Sequence, residues 1–140
     1  GRRFSFRVTV VVGDKNGKLA RAVEVKKLNI RSKELSIFDI GPKTIKLFSQ
    51  YIKKSQTIVW NGAMGYFEQH PYEYGTHSIA RLVAARAKGK AFGITGGGET
   101  IEVLKKLHLI GDIDLASTGG GSMLEYLSGK KLPGIEALKK

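Results

Sequence analysis

Two segments of this chain repeat each other 23 residues apart. Thr95-Gly96-Gly97-Gly98-Glu99-Thr100-Ile101-Glu102-Val103-Leu104 aligns with Thr118-Gly119-Gly120-Gly121-Ser122-Met123-Leu124-Glu125-Tyr126-Leu127. A short apolar run precedes each triplet and an amphipathic run follows it. Each therefore reads as strand, Thr-Gly-Gly-Gly, helix. Strands alternating with helices build βαβ units and a parallel sheet. In such sheets ligands bind beyond the carboxyl ends of the strands, where both triplets fall. Glycine removes the side chain, so backbone N–H groups can approach a ligand closely. The helix that follows adds unpaired N–H groups and the positive end of its dipole. One such loop is as easily a tight turn without a ligand. Two in adjacent βα units point to an anion site, most naturally for phosphate.

The rest of the chain fits the same grammar. Phe4, Phe6, Val8, Val10 and Val12 alternate with polar residues, which predicts a strand over 4–12. Asn16-Gly17 is a strong hairpin signal, and Leu19–Lys27 reads as the return strand. Residues 28–35 read as a polar connection. Ser36–Ile40, Thr57–Trp60, Ala91–Thr95 and Ile113–Ser117 read as four short parallel strands. Lys43–Lys54, Thr76–Lys88, Glu99–Leu107 and Ser122–Leu127 read as the helices between and after them, with Pro42 suited to a first turn. Trp60 is expected in the core. The predicted fold is α/β: a truncated doubly wound, Rossmann-like parallel sheet with an N-terminal β-hairpin. It is expected as one domain over 1–140, with a hairpin segment at 1–27 and a βα half-domain at 36–140. A half sheet leaves a strand edge unpaired. The hairpin, or self-association into a homo-oligomer, is expected to cover it.

Several chemistries are excluded. There is no cysteine, hence no disulfide, thiolate metal site or cysteine nucleophile. His70, His77 and His108 lack metal-ligand spacing. There is no G-x-S-x-G elbow, no G-x-x-x-x-G-K-[ST] P-loop and no G-x-G-x-x-G spacing. No stretch approaches the ~20 apolar residues of a membrane span, and no apolar leader precedes the fold, so a cytoplasmic protein without a membrane partner is expected. The net charge of +12 is uneven: residues 1–60 hold 14 Lys/Arg against 4 Asp/Glu, residues 61–140 hold 10 against 8. A basic half attracts polyanions, so RNA is a second candidate partner, through Arg2, Arg3, Arg7, Lys15 and Lys18.

Four segments resemble the nucleotide-binding C-terminal domain of the phosphoglycerate kinase family. They are Asp39-Ile40-Gly41-Pro42-Lys43-Thr44-Ile45, Val59-Trp60-Asn61-Gly62-Ala63-Met64-Gly65-Tyr66-Phe67-Glu68, Gly96-Gly97-Gly98-Glu99-Thr100, and the second triplet from Ser117 to Leu127. Their order and spacing match, and Leu132-Pro133-Gly134-Ile135 is similar to the family's ending. The resemblance covers residues 36–138, and Val8–Asp14 continues it. It implies phosphoryl transfer between ATP and the carboxyl group of 3-phosphoglycerate, with Mg²⁺ and ADP or ATP bound. It places Asn61 and the loop Gly96, Gly97, Gly98 near the nucleotide phosphates, with Thr100 touching phosphate. It gives Glu68 the ribose hydroxyls, Glu99 the magnesium, and Gly119, Gly120 and Gly121 the phosphate in flight.

The chain departs from that pattern. Ala63 replaces a proline, which is expected to loosen the turn after Asn61. Glu99 stands where the family has aspartate, and Mg²⁺ tolerates geometric error poorly. No equivalent of the family's N-terminal domain, or of the first half of its nucleotide domain, is found. A nucleotide module that is catalytic only with a complementing kinase half is therefore one expectation; a basic RNA-associated module on a kinase-like scaffold is the alternative. Residues 1–18 also resemble the hairpin of the fifth small-subunit ribosomal protein, which suggests a chimera with a fused N-terminal piece.

Overall fold

A computed structural model of the protein describes residues 9–14, 21–24 and 35–139. In chain order its elements are β1 (Thr9–Asp14), β2 (Arg21–Glu24), β3 (Leu35–Ile40), α1 (Pro42–Lys54), β4 (Thr57–Asn61), α2 (Tyr74–Ala87), β5 (Phe92–Gly96), α3 (Gly98–Lys106), β6 (Leu115–Ser117), α4 (Gly120–Leu127) and α5 (Pro133–Leu138). Two compact units emerge. Among the described residues, the first takes those up to Ser55 together with Ala63–Leu82, and the second takes Gln56–Gly62 and those from Val83 onward.

In the first unit β1 is the middle strand of an antiparallel sheet, order β2-β1-β3. Val10 pairs with Val23 on one side and with Ile40 on the other, and the register with β3 shifts between Val11 and Val12. The valine run suits a central strand flanked on both edges. The predicted turn at Asn16-Gly17, the start of the first strand and the ends of the return strand lie outside the described residues.

The expected strand at 36–40 forms, but it is not part of the parallel sheet. It runs antiparallel to β1, so the parallel sheet has three strands and not four. A five-residue strand carries no local record of its partner's direction, and here the partner is β1. The strands read as a hairpin likewise pair within this first sheet, not along the edge of the parallel one. Gly41 and Pro42 start α1 as expected: Pro42 opens the helix, Ile45 donates to the Gly41 carbonyl at 3.0 Å, and Lys53 and Lys54 face the negative end of the dipole.

The second unit holds the parallel sheet, order β4-β5-β6. Thr57 pairs with Phe92, Val59 with Ile94, and Ile94 with Leu115. Ile58 and Trp60 are buried on one face, the latter as expected. From α3, Ile101, Val103 and Leu104 join this core. On the other face Val59, Phe92 and Leu115 are 45%, 50% and 50% exposed. Parallel sheets are ordinarily covered on both faces. From residue 35 onward helix and strand limits fall within two residues of those predicted, and the tail adds α5, begun by Pro133, which was not expected. No helix among the described residues is long and apolar enough to cross a membrane.

Candidate functional site: the row of strand ends

The parallel register aligns three strand ends. Asn61 pairs with Gly96, and Gly96 with Ser117, so β4, β5 and β6 release their loops from one row. Two of those loops are the Thr-Gly-Gly-Gly repeats, and they touch. Gly97 donates its N–H to the Ser117 carbonyl at 3.2 Å. A Cβ placed on Gly120 would stand 3.6 Å from the Gly97 Cα. The glycines are needed here for two separate reasons. Gly97 and Gly120 have φ of 88° and 44°, a region that side chains disfavour. Gly96 is pressed by its neighbours: a Cβ there would meet the Met123 methyl, and would come within 3.0 Å of Asn61 Oδ1.

Helices α3 and α4 begin directly after these loops. Neither Gly97 nor Gly119, their N-cap residues, supplies a side-chain hydrogen bond to the first turn. Two positive helix ends with uncapped first turns therefore open at the same row of strand ends. Gly98 and Gly121 have nothing within 4 Å of an added Cβ, so space lies open in front of both backbones. Glu99 is exposed in the first turn of α3.

Thr100 has a task that its resemblance did not indicate. It is fully buried, and its Oγ1 accepts the Gly62 N–H at 2.9 Å. That bond ties the turn after Asn61 to α3, where the loss of proline at Ala63 was expected to leave slack. Thr100→Val leaves the Gly62 N–H without its acceptor and is expected to cost about 1–3 kcal/mol. Chemical denaturation would measure the cost, and Gly62 should lose amide-exchange protection before the core of the sheet does.

The structure brings together, in the second unit, Asn61, Gly96, Gly97, Gly98, Glu99, Thr100, Gly119, Gly120 and Gly121. Glu68 belongs to the first unit, exposed in the turn that follows buried Phe67. That turn is anchored by residues the sequence reading missed. Asp39 is 2% exposed and accepts two N–H groups, from Ile40 at 2.8 Å on Oδ1 and from Gly75 at 2.7 Å on Oδ2. Burial pushes its carboxyl above the ordinary aspartate range; the N–H groups of Gly75 and Ile40 oppose that rise, and the Glu73 charge adds to it. The available signal was Gly75, a glycine one residue inside a helix, where helix propensity alone disfavours it. No group of three or more His, Asp or Glu among the described residues is placed to hold a metal by itself.

Comparison with known proteins agrees with this geometry. The family model for phosphoglycerate kinase matches residues 1–130. Phosphoglycerate kinase of Orientia tsutsugamushi (strain Boryong) is 41% identical over 129 residues, which is 91% of this chain and 32% of that protein. The enzyme of Koribacter versatilis is 42% identical over 138 residues, 99% of this chain and 34% of its own length. Among solved structures, phosphoglycerate kinase from Coxiella burnetii superposes with a TM-score of 0.79 at 36% identity, over 94% of this chain and 33% of that one. The Pyrococcus horikoshii OT3 kinase gives a TM-score of 0.74 at 32% identity, covering 94% and 31%. The match begins at residue 1, so the first 18 residues need no ribosomal source and the chain need not be a chimera. The basic residues behind the RNA expectation, Arg2, Arg3, Arg7, Lys15 and Lys18, lie outside the described residues but inside that match. A match over most of the chain, repeated in sequence and in fold, shows that it belongs to the phosphoglycerate kinase family, and that it spans about a third of the length of the relatives it matches.

Proposed function

We propose that these 140 residues are the phosphate-holding part of a nucleotide site for ADP or ATP, from a kinase of glycolysis that transfers phosphate between ATP and 3-phosphoglycerate. They bind without catalysing until the remaining two-thirds of such a kinase is present. The observation that carries the reading is the single row Asn61, Gly96, Ser117, from which two glycine loops lead into two uncapped helix ends. Phosphoryl transfer asks little covalent chemistry of a protein. It asks for fixed dipoles around three equatorial oxygens and for alignment. The N–H groups at Gly98, Gly120 and Gly121 can supply such dipoles from a backbone that is already folded. In this reading Asn61 donates to the nucleotide phosphates, Thr100 steadies the turn beside them through the Gly62 N–H, and Gly119–Gly121 face the phosphate in transfer.

The donor set also suits Mg²⁺. That ion is commonly held by one or two carboxylates together with substrate phosphates and water, and Glu99 offers an exposed carboxylate beside the loops. Mg²⁺ bound there would neutralise phosphate charge. The uncovered apolar face at Val59, Phe92 and Leu115 supports a partner as well, because a larger sheet-bearing chain would bury it.

Titration of ¹⁵N-labelled protein with ADP, with and without Mg²⁺, tests the reading. Shifts are expected at Gly97, Gly98, Gly120 and Gly121, with millimolar affinity, about −4 kcal/mol. Gly98→Val should abolish them while the helices stay folded, since a Cβ there meets nothing within 4 Å. Gly120→Val is a poorer probe, because its φ of 44° makes valine strained whether or not a ligand binds. Glu99→Gln should remove the Mg²⁺ enhancement and leave Mg²⁺-free binding in place. No shift in either loop at tens of millimolar would overturn the reading.

A further inference from the structure

We infer that Met123 is a positioning residue for the phosphate site: its thioether seats α4 against the end of β5, so that the two helix ends act on one anion. The inference rests on the nucleotide reading above and deepens it. Every residue it uses belongs to the second unit.

Aligned on their glycines, the two copies of the repeat place Met123 where the first has Thr100. Each of these side chains reaches back to the strand end that precedes its own loop. Thr100, on α3, accepts the Gly62 N–H just beyond β4. Met123, on α4, lies against Gly96 at the end of β5, with its methyl in the space a Cβ would fill and its Sδ 3.1 Å from that point. One position of the repeat thus does the same work twice, once with a hydroxyl and once with a thioether. Asn61, Gly96 and Ser117 stand in register, so the two contacts key each helix to the neighbouring strand end.

The Met123 contact is decisive for α4 because little else holds that helix to the sheet. None of its residues is buried, and Ser122, Leu124, Glu125, Tyr126 and Leu127 are all exposed, whereas Met123 is half-buried. Met123 also borders a cavity of about 530 Å³, lined as well by Ile94, Leu115, Tyr126, Leu127 and Ile135. The sheet therefore grips the methionine from one side and leaves room on another. An unbranched side chain with three rotatable bonds suits so uneven a seat. The bond from the Gly97 N–H to the Ser117 carbonyl fixes where the chain leaves β6, not the direction in which α4 then runs. A helix dipole acts within about one turn of its end, so a small swing of α4 takes its end away from an anion held at the other loop.

Met123→Ala removes the contact. The probe is inorganic pyrophosphate, titrated into ¹⁵N-labelled protein and read at the amides of Gly98 and Gly121. In the wild type both should shift along one binding curve. In Met123→Ala, Gly98 should still shift, with affinity lowered about tenfold, the scale of one helix end beside an anion. Gly121 should cease to follow it. Met123→Leu, close to methionine in volume, should restore the common curve. A merely structural role would lower stability and leave the two amides moving together. If α4 melts in Met123→Ala, its own amides show it before any ligand is added. Gly96→Ala then reads the same contact from the sheet side: its methyl takes the place of the Met123 methyl and should separate the two curves in the same way. A common curve in the folded variant, or a separation that leucine does not reverse, would overturn the inference. So would wild-type protein in which Gly98 and Gly121 shift along separate curves; wild type in which neither shifts would overturn the nucleotide reading itself.

Discussion

Gly75→Ala is expected to destabilise the first unit by about 3 kcal/mol or more, at the upper end of what overpacking costs. The added methyl would run into the Asp39 carboxylate and the Ile40 side chain. Neither can give way cheaply. The carboxylate is buried and accepts the N–H of Gly75 itself, so moving it away lengthens the bond that holds it. Leaving a buried carboxylate with fewer donors adds its own desolvation cost. Ile40 is fixed in β3 by its pairing with Val10. Urea unfolding should show a lower midpoint with an unchanged slope. Gly98→Ala is the control of opposite sign. It sits at the start of α3 with open space around it, so alanine should stabilise by about 0.5–1 kcal/mol. Equal effects at the two positions would mean that glycine's backbone freedom, and not the space beside Asp39, sets its use at Gly75.

The two glycines also show what could be read from the sequence and what could not. Gly98 belongs to a motif repeated 23 residues on, and a repeat announces itself without any knowledge of neighbours. The βα alternation, the helix limits and the convergence of two loops at one sheet edge follow from local periodicity and from the rule that parallel strands end together. Gly75 has no such companion. Its reason lies 36 residues away in Asp39, and nothing near either residue states that they meet. Thr100 was found through its motif and given a ligand-facing role, yet its bond to Gly62, 38 residues earlier, is a tertiary fact. The direction of β3 was lost for a similar cause. Ser36–Ile40 reads as a strand by composition, but that it joins β1, antiparallel, is set by a pairing more than twenty residues away along the chain. Local chemistry is legible where one segment suffices to express it; the anchoring of Tyr66 and Gly75 on Phe38 and Asp39 needs three separate segments at once.

Assayed alone with ATP, Mg²⁺ and 3-phosphoglycerate, these 140 residues are expected to give no measurable turnover. The site proposed here organises one side of the reaction, the nucleotide phosphates. The acceptor carboxylate must also be held in line with the transferred phosphate, and bringing two reactants together in that geometry is worth about 7–11 kcal/mol, or 10⁵–10⁸ in rate. No part of the row at Asn61, Gly96 and Ser117 offers a positive cradle for a second phosphorylated substrate, and the chain matches only 33% of the Coxiella burnetii kinase. Binding and turnover should therefore separate: ADP shifts the glycine-loop amides while a coupled assay stays at the uncatalysed rate. Adding a polypeptide that carries the remaining two-thirds of a relative should restore a rate, because the exposed face at Val59, Phe92 and Leu115 gives it an apolar surface to bury. The restored rate should fall with Glu99→Ala and with Gly98→Val, which act on the phosphates. Turnover by the 140 residues alone, abolished by Glu99→Ala, would show that two helix ends and one carboxylate suffice to align both substrates.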